Sequence, residues 1–598
     1  MQTGFVSRLP AFVFQKAQSV KLPAGATRLG IRNVKLGMKG CVYKMNEKLI
    51  KLSQVIFPDL TDEDTIESLE ALFPERGLKE GAKVTRMAPS PTGSMHIGNL
   101  YGALSDERIA HTSTDDGVFI LRIEDTDDKR EVPGAVEAII KYMGAFGIEF
   151  DEGATADGDK GAYGPYRQRQ RAKYYHIVAR KLLLDGRAYP CFCSEDELKE
   201  AHEAQEAAKE NFGYYGKWAK HRDMDIDEAI AKIENGESFV LRFKSMGDPS
   251  KKVDFKDQIK GKLSFPENDQ DFVLLKSDGI PTYHFAHVVD DHFMRTTDVV
   301  RGEEWLSTLP WHFELWRACG FKMPRFCHTA QVMKLDEETG TKRKMSKRKD
   351  PECTLGFYFE KGYPAKSTIE YLMTLLNSNY EQWRSANKEA SYKEFPFKAS
   401  NMGNSGAMFD LAKFNDVSKN VISLMSADEV YDGVVAWAKE NDEPFYKILS
   451  DDPEYAKQYF AIGRGGKKPR KDFACWSEVK DFVSYYYDDL FAIEEAFPEN
   501  VSADDKKAIL KDYAEIYSAD DDNNAWFEKI KTICEKYGYT ADMKAYKENP
   551  EAFKGSITDV SNVIRVAVTG RNNSPDLCTV MKVLGSERVI KRILAAAE

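Results

Sequence analysis

The segment Arg86-Met-Ala-Pro-Ser-Pro-Thr-Gly-Ser-Met-His96-Ile-Gly-Asn99 combines residue types that suit a phosphate site. The apolar stretch from Val84 to Ala88 predicts a strand, and the Pro- and Gly-rich turn after it leads into a helix predicted to begin near His96. Backbone N–H groups at a helix N-terminus bind phosphate. His96 can donate a hydrogen bond to phosphate oxygens that gain charge in a transition state, and Gly98 allows a nucleotide to approach closely.

A second motif, Lys344-Met-Ser-Lys347-Arg348, places two lysines and a serine in a predicted polar loop. Mobile ammonium groups can contact a pyrophosphate and follow the charge that develops as it leaves. A basic run alone is usually a solvated loop. Together with the first motif it predicts a site that forms an adenylate from ATP, in which Lys347 contacts the phosphates.

Length and composition are compatible with several functions. A chain of 598 residues predicts several domains. The net charge of −11 does not exclude RNA binding, because only the charges that lie along the phosphate backbone contribute to it. Nine mostly isolated cysteines and the absence of a long apolar run predict a reducing compartment, and a cytoplasmic location is expected.

Residues 1–44 differ from the rest in carrying eight Lys or Arg and no Asp or Glu. An organelle transit peptide has this composition, and so does a start codon placed upstream of a true start at Met45. We favour the second interpretation. An organellar location is the alternative if the leader is a transit peptide.

The elements that must position the two motifs form an α/β pattern. A strand is predicted at Gly117–Ile123 and a helix at Gly134–Met143, an alternation typical of a parallel sheet. From Ala188 to Asp271 the pattern changes to charged helices that begin with a capping box at Ser194–Glu197, so this segment interrupts the nucleotide fold. After residue 360, helices dominate.

The two motifs resemble the HIGH and KMSKS signatures of class I aminoacyl-tRNA synthetases. Further segments resemble, in this order, the bacterial-type glutamyl-tRNA synthetases: Ala88-Pro-Ser-Pro-Thr-Gly93, Leu121-Arg-Ile-Glu-Asp-Thr-Asp127, Pro281-Thr-Tyr-His284, Val288-Val-Asp-Asp-His292 and Arg301-Gly-Glu-Glu-Trp305. The resemblance runs from about residue 84 to the C-terminus and is looser after residue 360.

The resemblance implies a Rossmann-type nucleotide-binding domain with an inserted acceptor-binding domain and an α-helical anticodon-binding domain. The expected ranges are 1–44 for the basic leader, 45–83 for an N-terminal helical extension, 84–187 and 273–320 for the two halves of the catalytic domain, 188–272 for the inserted tRNA acceptor-binding domain, 321–420 for a stem-contact region with the KMSKS-type loop, and 421–598 for the anticodon-binding domain.

The implied activity is that of a glutamate–tRNA ligase, which activates L-glutamate with ATP and Mg²⁺ and transfers it to the 3′ end of tRNA(Glu). A monomer with no membrane partner is expected. A glutaminyl-tRNA synthetase is one alternative, which Ser90-Pro-Thr-Gly93 and Arg301 argue against. A non-catalytic tRNA-binding paralogue is another, but such a protein is expected to lose His96 or Lys347, and both are present.

The resemblance also assigns roles to residues. Arg301 faces the side-chain carboxylate of glutamate, which a guanidinium binds in bidentate fashion, and Glu124 accepts the α-ammonium group. The expected glutamate-binding set is Arg86, Ala88, Ser90, Glu124, Tyr283, His287 and Arg301. The expected ATP-binding set is His96, Gly98, Glu304, Trp305, Leu306, Lys344 and Lys347. The expected catalytic residues are His96, Asn99 and Lys347.

Two residues depart from the family pattern. Asn99 replaces the last His of HIGH, although an amide still donates a hydrogen bond. His287 stands where the family often has Asn, and it either tunes glutamate binding through a hydrogen bond or is a satisfied core histidine.

Two further clusters leave their roles open. Cys191, Cys193 and His221 resemble a zinc pattern of some family members, but a fourth ligand is missing, so no zinc is expected and the thiols are predicted to pack. A basic cluster in the C-terminal half either contacts tRNA phosphates or is a solvated loop, and its residues are Arg464, Lys467, Lys468, Arg470 and Lys471.

Overall fold

The computed structural model describes residues 47–93, 95–127 and 129–598, so the predicted basic leader lies outside the described residues. The chain divides into two compact units. The smaller unit contains the residues up to Ser68 together with Lys173–Met246 and Asp269–Thr282. The larger unit contains Leu69–Ala172, Gly247–Asn268 and Tyr283–Glu598.

The strands are β1 (Val84–Met87), β2 (Val118–Leu121), β3 (Glu152–Thr155), β4 (Gly158–Lys160), β5 (Ala188–Cys191), β6 (Val240–Phe243), β7 (Lys252–Asp257), β8 (Gly261–Pro266), β9 (Val273–Leu275), β10 (Asp298–Gly302), β11 (Arg325–Thr329), β12 (Val332–Leu335), β13 (Lys342–Lys344) and β14 (Ala407–Met408).

The helices are α1 (47–56), α2 (Ile66–Leu72), α3 (Ile97–His111), α4 (Ala135–Ala145), α5 (Ala172–Leu184), α6 (Glu195–Ala208), α7 (Ile226–Glu234), α8 (Tyr283–Phe293), α9 (Leu309–Cys319), α10 (Leu355–Lys361), α11 (Ala365–Leu376), α12 (Tyr380–Ala386), α13 (Leu411–Ser423), α14 (Ala427–Asn441), α15 (Glu443–Asp451), α16 (Pro453–Ala461), α17 (Val479–Val483), α18 (Ala503–Ile516), α19 (Asn523–Tyr537), α20 (Met543–Glu548), α21 (Ile557–Thr569), α22 (Leu577–Leu584) and α23 (Ser586–Ala596). None of the described helices is long and apolar enough to cross a membrane.

Two sets of parallel strands form the centre of the larger unit. β1 pairs with β2 and β2 with β3, while β10 pairs with β11, all in parallel. The Thr297 N–H just before β10 donates to the Val84 carbonyl of β1 at 2.9 Å, which links the two sets. β10 therefore lies next to β1, on the side of β1 opposite to β2. In such sheets, ligands bind at the carboxyl ends of the strands where the order reverses.

The predicted elements around this sheet are confirmed with small shifts of their ends. β1 ends one residue before the predicted limit at Ala88, and β2 lies inside the predicted range Gly117–Ile123. Phe119, Ile120 and Leu121 are fully buried, as expected for a parallel strand that is covered on both faces.

A hairpin from the middle of the chain extends the sheet of the larger unit. β7 and β8 are antiparallel, and β7 pairs in parallel with β11 where Asp257 lies opposite Phe326. Residues 247–268 thus belong to the larger unit, although they fall within the sequence range predicted for the inserted domain. A smaller sheet, in the order β13-β12-β14, carries the second motif at the end of β13.

The smaller unit contains an antiparallel sheet in the order β5-β6-β9 and the charged helices α6 and α7. The predicted capping box is confirmed, because Ser194 N–H donates to Glu197 Oε2 at 2.9 Å and Glu197 N–H donates to Ser194 Oγ at 3.2 Å. These bonds satisfy two N–H groups that the helix leaves unpaired.

The predicted helical C-terminal region is also confirmed. Its core is formed by aliphatic and aromatic residues such as Val434, Leu449, Ile509 and Val563, which are fully buried. Many of its helices begin at a Ser or Asp whose side chain accepts an N–H of the first turn. These N-cap residues include Asp410, Ser426, Asp442, Asp452, Ser502, Asp522, Asp542 and Asp576.

The last residue of α3 generates a prediction about pH and stability. His111 Nε2 lies 2.8 Å from Asp151 Oδ2, its Nδ1 lies 3.2 Å from Glu107 Oε1, and these contacts raise the pKa of His111 to about 9. The charged imidazole therefore stabilises the fold below the ordinary His pKa, and its contribution is lost as pH rises through about 9. We expect His111→Gln to lower the free energy of unfolding by about 1 kcal/mol at pH 6, as is typical of partly exposed pairs.

Chemical denaturation at pH 6 and pH 10 measures this effect. The difference between wild type and His111→Gln should disappear at the higher pH. Asp151→Asn is the complementary variant, because it removes the nearer partner of the imidazole. A difference that stays constant across this pH range would contradict the assignment.

Candidate active site

Backbone contacts bring the two sequence motifs together. His96 is the N-cap of α3, as predicted, and it forms an isolated antiparallel bridge with Thr354. Leu355 N–H donates to the Met95 carbonyl at 3.1 Å. Thr354 is the N-cap of α10, the helix that follows the Lys344–Arg348 loop. The structure thus joins the start of α3 to the segment that carries the second motif.

A salt bridge fixes the base of this loop. Arg343 Nη1 and Nη2 donate to the two carboxylate oxygens of Asp350 at 2.6 and 2.8 Å, and Ser346 N–H donates to Asp350 Oδ2 at 2.8 Å. The hydrogen bonds from Arg343 lower the pKa of Asp350 to about 2. Lys344 and Lys347 remain exposed on the loop. Their ammonium groups are accessible to a ligand while the backbone between them is held.

The positive charges of these lysines affect the pKa of His96. Burial lowers the pKa of His96 to about 4, and the positive charges of Lys347 and Lys344 contribute to the decrease. A neutral imidazole therefore lies beside two cations at the N-terminus of a helix. This arrangement attracts an anion with several charges, such as a polyphosphate.

Gly98 and Asn99 position the His96 residue itself. Asn99 Oδ1 accepts the His96 N–H at 3.0 Å, which fixes the backbone at the N-cap. A Cβ atom at Gly98 would lie 3.0 Å from His96 Nδ1, so glycine leaves room for the imidazole. The side-chain oxygen of Asn99 therefore accepts a hydrogen bond within the protein, and its NH₂ group can donate a hydrogen bond to a ligand.

A buried carboxylate connects two arginines below the strand ends. Arg86 Nε donates to Asp291 Oδ1 at 2.9 Å, and Arg122 Nη1 donates to the same oxygen at 2.7 Å. Arg122 Nη2 donates to Glu124 Oε1 at 3.2 Å. Burial opposes the charge on Asp291, but Arg86 and Arg122 outweigh it and hold the pKa of Asp291 well below its usual value. Burial raises the pKa of Glu124.

Arg301 lies on β10 and has a different environment. Its Nε donates to His328 Nε2 at 3.0 Å and its Nη1 to His312 Nδ1 at 3.1 Å. Its buried Nη2 makes no hydrogen bond to any residue in the described part of the chain. Since a buried donor left unpaired costs about 1–3 kcal/mol, this atom indicates an acceptor that comes from a ligand.

An aromatic stack lies beside Arg301. The Trp305 and Tyr283 rings are 4.3 Å apart between centroids and stacked, and Tyr283 is stacked on His287 at 5.8 Å. His287 is fully buried with Nδ1 2.5 Å from Asp291 Oδ2, while its Nε2 finds no hydrogen-bond partner within residues 47–93, 95–127 and 129–598. Burial lowers the pKa of His287 to about 3. His287 is therefore a neutral histidine whose Nε2 has no hydrogen-bond partner in the described part of the chain.

The remaining predicted residues lie on the same unit. Ala88 directly follows β1, and Ser90 is exposed in the turn after it. Glu304 is exposed on the 3₁₀ helix Glu303–Thr308 and accepts a hydrogen bond from Gln331 Nε2 at 3.1 Å, and Leu306 of that helix is half-buried. The sequence predicted no role for Arg122, Asp257, Asp291, His312 or His328, because histidines and carboxylates far apart in sequence show no pattern before folding.

The Cys and His residues of the smaller unit form a compact cluster. Cys191 Sγ, Cys193 Sγ and His221 Nδ1 lie within 4.8 Å of one another, with sulfur-to-nitrogen distances of 3.6 and 3.3 Å. The hydroxyl of Tyr214 lies 3.3 Å from the first sulfur and 3.4 Å from the second. The expectation of no zinc rested on a missing fourth nitrogen or sulfur ligand, and the fourth atom of this cluster is instead the hydroxyl oxygen of Tyr214. Hydrogen bonding between the two thiols lowers the pKa of Cys191 and raises the pKa of Cys193, and burial raises the pKa of Tyr214.

Comparison with known proteins gives consistent relatives. A family model described as "tRNA synthetases class I (E and Q), catalytic domain" matches residues 83–416, and one described as "Anticodon binding domain" matches residues 468–597. A glutamate–tRNA ligase of Acetivibrio thermocellus is 52% identical over 91% of this chain and 98% of its own, and one of Clostridium beijerinckii is 50% identical over the same shares.

A solved structure is also similar. The glutamate tRNA ligase from Elizabethkingia meningosepticum, in complex with its amino acid, has a TM-score of 0.66 and 25% identity. The similarity covers 86% of this chain and 99% of that chain. The α/β fold with a helical C-terminal domain, predicted from the sequence, is confirmed.

The Asp291 network generates a prediction. We expect Asp291→Asn to lower the free energy of unfolding by about 3–5 kcal/mol, because removing a buried charge leaves buried arginines uncompensated. Thermal and chemical denaturation measure this loss. Asp298→Asn is the matched control: its partner Arg325 is 50% exposed, so water replaces the lost contact and the decrease should be smaller. Equal losses in the two variants would contradict the role given to Asp291.

Proposed function

Since this chain belongs to the glutamate–tRNA ligases of the class I synthetase family, we propose that it converts L-glutamate and ATP into glutamyl-adenylate and transfers the glutamyl group to the 3′ end of tRNA(Glu). The enzyme is a ligase. We assign its active site to the larger unit, which carries both motifs and all of the predicted glutamate- and ATP-binding residues.

The observation that carries this assignment is the unpaired Nη2 of Arg301. The guanidinium donates to two imidazole nitrogens and lies over the Phe326 ring, while its Nη2 has no hydrogen-bond partner in the described residues, so this N–H direction can serve a carboxylate. Glutamine would present a neutral amide, which has one acceptor oxygen instead of two and brings an NH₂ donor and no negative charge to the guanidinium. Sites built around a buried polar partner discriminate by roughly 10⁴ or more against an analogue that leaves it unpaired.

We assign the rest of the amino acid to the residues around Arg301. Glu124 accepts hydrogen bonds from the α-ammonium group, and Nε2 of the buried His287 is a further acceptor, because the proton of this neutral ring lies on Nδ1 facing Asp291. Arg86 acts through Asp291 of α8, to which it donates from β1, and Tyr283 provides an aromatic wall. Ala88 and Ser90 belong to the same proposed binding set.

Activation requires no nucleophile from the protein. The α-carboxylate of glutamate attacks the α-phosphorus of ATP, and the bond to pyrophosphate breaks. Lys344 and Lys347 neutralise the leaving pyrophosphate, and His96 donates a hydrogen bond to the phosphate oxygens, while Gly98 keeps the imidazole in place. The terminal hydroxyl of the tRNA then attacks the carbonyl carbon of the mixed anhydride, and AMP leaves.

The nucleotide is proposed to lie along the start of α3 and the 3₁₀ helix that carries Glu304, Trp305 and Leu306. Mg²⁺ supplies charge neutralisation to the phosphates when it is bound with ATP. Within the described residues, the one cluster with three metal-ligating groups is Cys191, Cys193 and His221, so we infer that Mg²⁺ is held mainly by phosphates and water.

We further propose that the domains have the roles predicted from the sequence. Residues 84–187 and 273–320 form the catalytic domain, and residues 188–272 bind the acceptor end of the tRNA. Residues 321–420 contact its stem, and residues 421–598 bind its anticodon. In the basic cluster, Arg464 donates to the carbonyls of Phe460 and Ile422, and Arg470 pairs with Asp472, so both arginines have internal roles. The exposed residues Lys467, Lys468 and Lys471 are the candidates for contacts with tRNA phosphates.

A structural zinc ion fits the cluster of the smaller unit. Around a tetrahedral zinc with Zn–S of ~2.3 Å and Zn–N of ~2.0 Å, neighbouring ligand atoms lie ~3.5 Å apart. The distances from the two sulfurs to His221 Nδ1 and to the Tyr214 hydroxyl, 3.3 to 3.6 Å, match these edges. We propose that Cys191, Cys193, His221 and Tyr214 hold the ion and thereby fix β5 to the segment before α7.

The function is tested by aminoacylation with glutamate or glutamine and purified tRNA(Glu) or tRNA(Gln). We expect glutamate to be joined to tRNA(Glu), and Arg301→Gln to raise the KM for glutamate by at least about tenfold because the carboxylate loses its cationic partner. Use of glutamine by the wild type would favour a glutaminyl-tRNA synthetase. No charging of either tRNA would favour the non-catalytic paralogue.

A second variant separates the roles of the two motifs in the same assay. Lys347→Ala should lower kcat by about 100-fold or more while the KM for glutamate stays unchanged, since the lysine acts on the leaving pyrophosphate. Arg348→Ala is the matched control, as it removes the neighbouring positive charge. Equal effects of the two substitutions would show that the loop contributes only general charge.

The zinc site is tested by elemental analysis of the purified protein. We expect about one zinc per chain, and faster loss of the metal to a chelator in Tyr214→Phe than in the wild type. Tyr215→Phe is the matched control, because the hydroxyl of that neighbour donates to the Asn211 carbonyl instead. A wild-type protein that contains no zinc after growth with added zinc would refute the site.

A further inference from the structure

The arginines of the candidate site differ in what neutralises them. Arg86 and Arg122 both donate to the carboxylate of Asp291. The hydrogen bonds of Arg301 go instead to two histidine rings that are fully buried. Burial lowers the pKa of both His312 and His328, so these rings are neutral. The charges of Arg86 and Arg122 are therefore paired with a carboxylate, whereas the hydrogen bonds of the Arg301 guanidinium go to uncharged rings.

The ring of His328 has one possible tautomer in this arrangement. Arg301 Nε can donate to His328 Nε2 only if that nitrogen carries a lone pair, so the proton lies on Nδ1. Nδ1 lies 2.7 Å from Asp257 Oδ2 and donates to it. Burial alone would raise the pKa of Asp257, but hydrogen bonds from His328 and from the backbone of Lys260 and Ile259 hold it below its usual value. Asp257 thus stays an acceptor.

The ring of His312 has the complementary tautomer. Its Nδ1 accepts from Arg301 Nη1 at 3.1 Å, so its proton lies on Nε2. This nitrogen lies 2.9 Å from His284 Nδ1 and donates to it. Asp257 on one side and His284 on the other therefore determine which nitrogen of each ring faces the guanidinium.

We propose that His328 and His312 are positioning residues for substrate specificity, which fix the Arg301 guanidinium through their tautomers and leave its Nη2 and its charge to the side-chain carboxylate of the substrate. This inference rests on the proposed function of Arg301. Neutral acceptors suit this role, because a carboxylate in either position would cancel the charge and repel the carboxylate of glutamate. The pair thereby favours a carboxylate over the uncharged amide of glutamine.

A crossed set of substitutions tests the proposal. The amide of Gln reaches about as far as Nε2 of histidine, whereas the amide of Asn reaches only about as far as Nδ1. His328→Gln and His312→Asn thus keep an acceptor for Arg301, whereas His328→Asn and His312→Gln remove it. The same two residue types have opposite effects at the two positions, so a loss that depended only on side-chain size would not produce this pattern.

We expect the two variants without the acceptor to raise the KM for glutamate about tenfold or more and to reduce the preference for glutamate over glutamine. The two variants that keep the acceptor should stay within about threefold of the wild type. The KM for ATP should not change in any of the four. Aminoacylation of tRNA(Glu) measures these values, and thermal melting shows which variants are folded.

Similar effects of Asn and Gln at each position would overturn the proposal, as would a loss confined to kcat. If one variant does not fold, the two variants at the other histidine position test the proposal. The wild type serves as the reference in the same assay, so its failure to charge tRNA(Glu) would refute the proposed function instead. A wild type that charges tRNA(Glu), with no crossed pattern among the folded variants, would leave that function standing and refute only the role of the two histidines.

Discussion

The buried carboxylate of Asp291 is the interaction on which the candidate site depends. It accepts hydrogen bonds from Arg86 on β1 and from Arg122 just after β2, and it contacts His287 on its own helix α8. Three elements from distant parts of the sequence are thereby joined at the carboxyl ends of the parallel strands. Such a buried network is specific because its charges are costly to separate. It places Glu124, His287 and the start of the first motif within one region.

The distribution of charge around this network separates structural from binding groups. Arg86, Arg122 and Arg343 are each paired with a buried or half-buried carboxylate, so their charges stabilise the fold. Arg301 is held by neutral imidazoles, and Lys347 lies exposed on a loop whose base is fixed by Asp350. A guanidinium held by uncharged rings thus lies at the position proposed for the carboxylate of glutamate, and an exposed lysine lies at the position proposed for the phosphates of ATP.

Residues remote in sequence supply the support for these groups. Asp257 lies in the β7–β8 hairpin, which follows residues of the smaller unit in the sequence. Because β7 pairs with β11, the carboxylate of Asp257 lies beside His328. Tyr214 lies between the two halves of the Cys and His pattern in the sequence, and its hydroxyl contacts both sulfurs. In both cases the side chain contributes through contacts with neighbouring side chains. These contacts depend on distances of a few ångströms that spacing along the chain does not encode.

The sequence by itself determined the local elements and the chemistry of the two motifs. Apolar alternation, the turn after Ala88 and the capping box at Ser194 are local signals, so β1, the start of α3 and α6 were predicted close to their observed ends. The short motifs were specific enough to indicate the class of reaction. The tertiary structure alone decided the partners of Arg86 and Arg301, the unsatisfied nitrogen of His287 and the fourth atom of the cysteine cluster. The physical reason is that buried hydrogen bonds require both partners to be placed within about 3 Å, and only the packing of distant strands and helices creates that proximity.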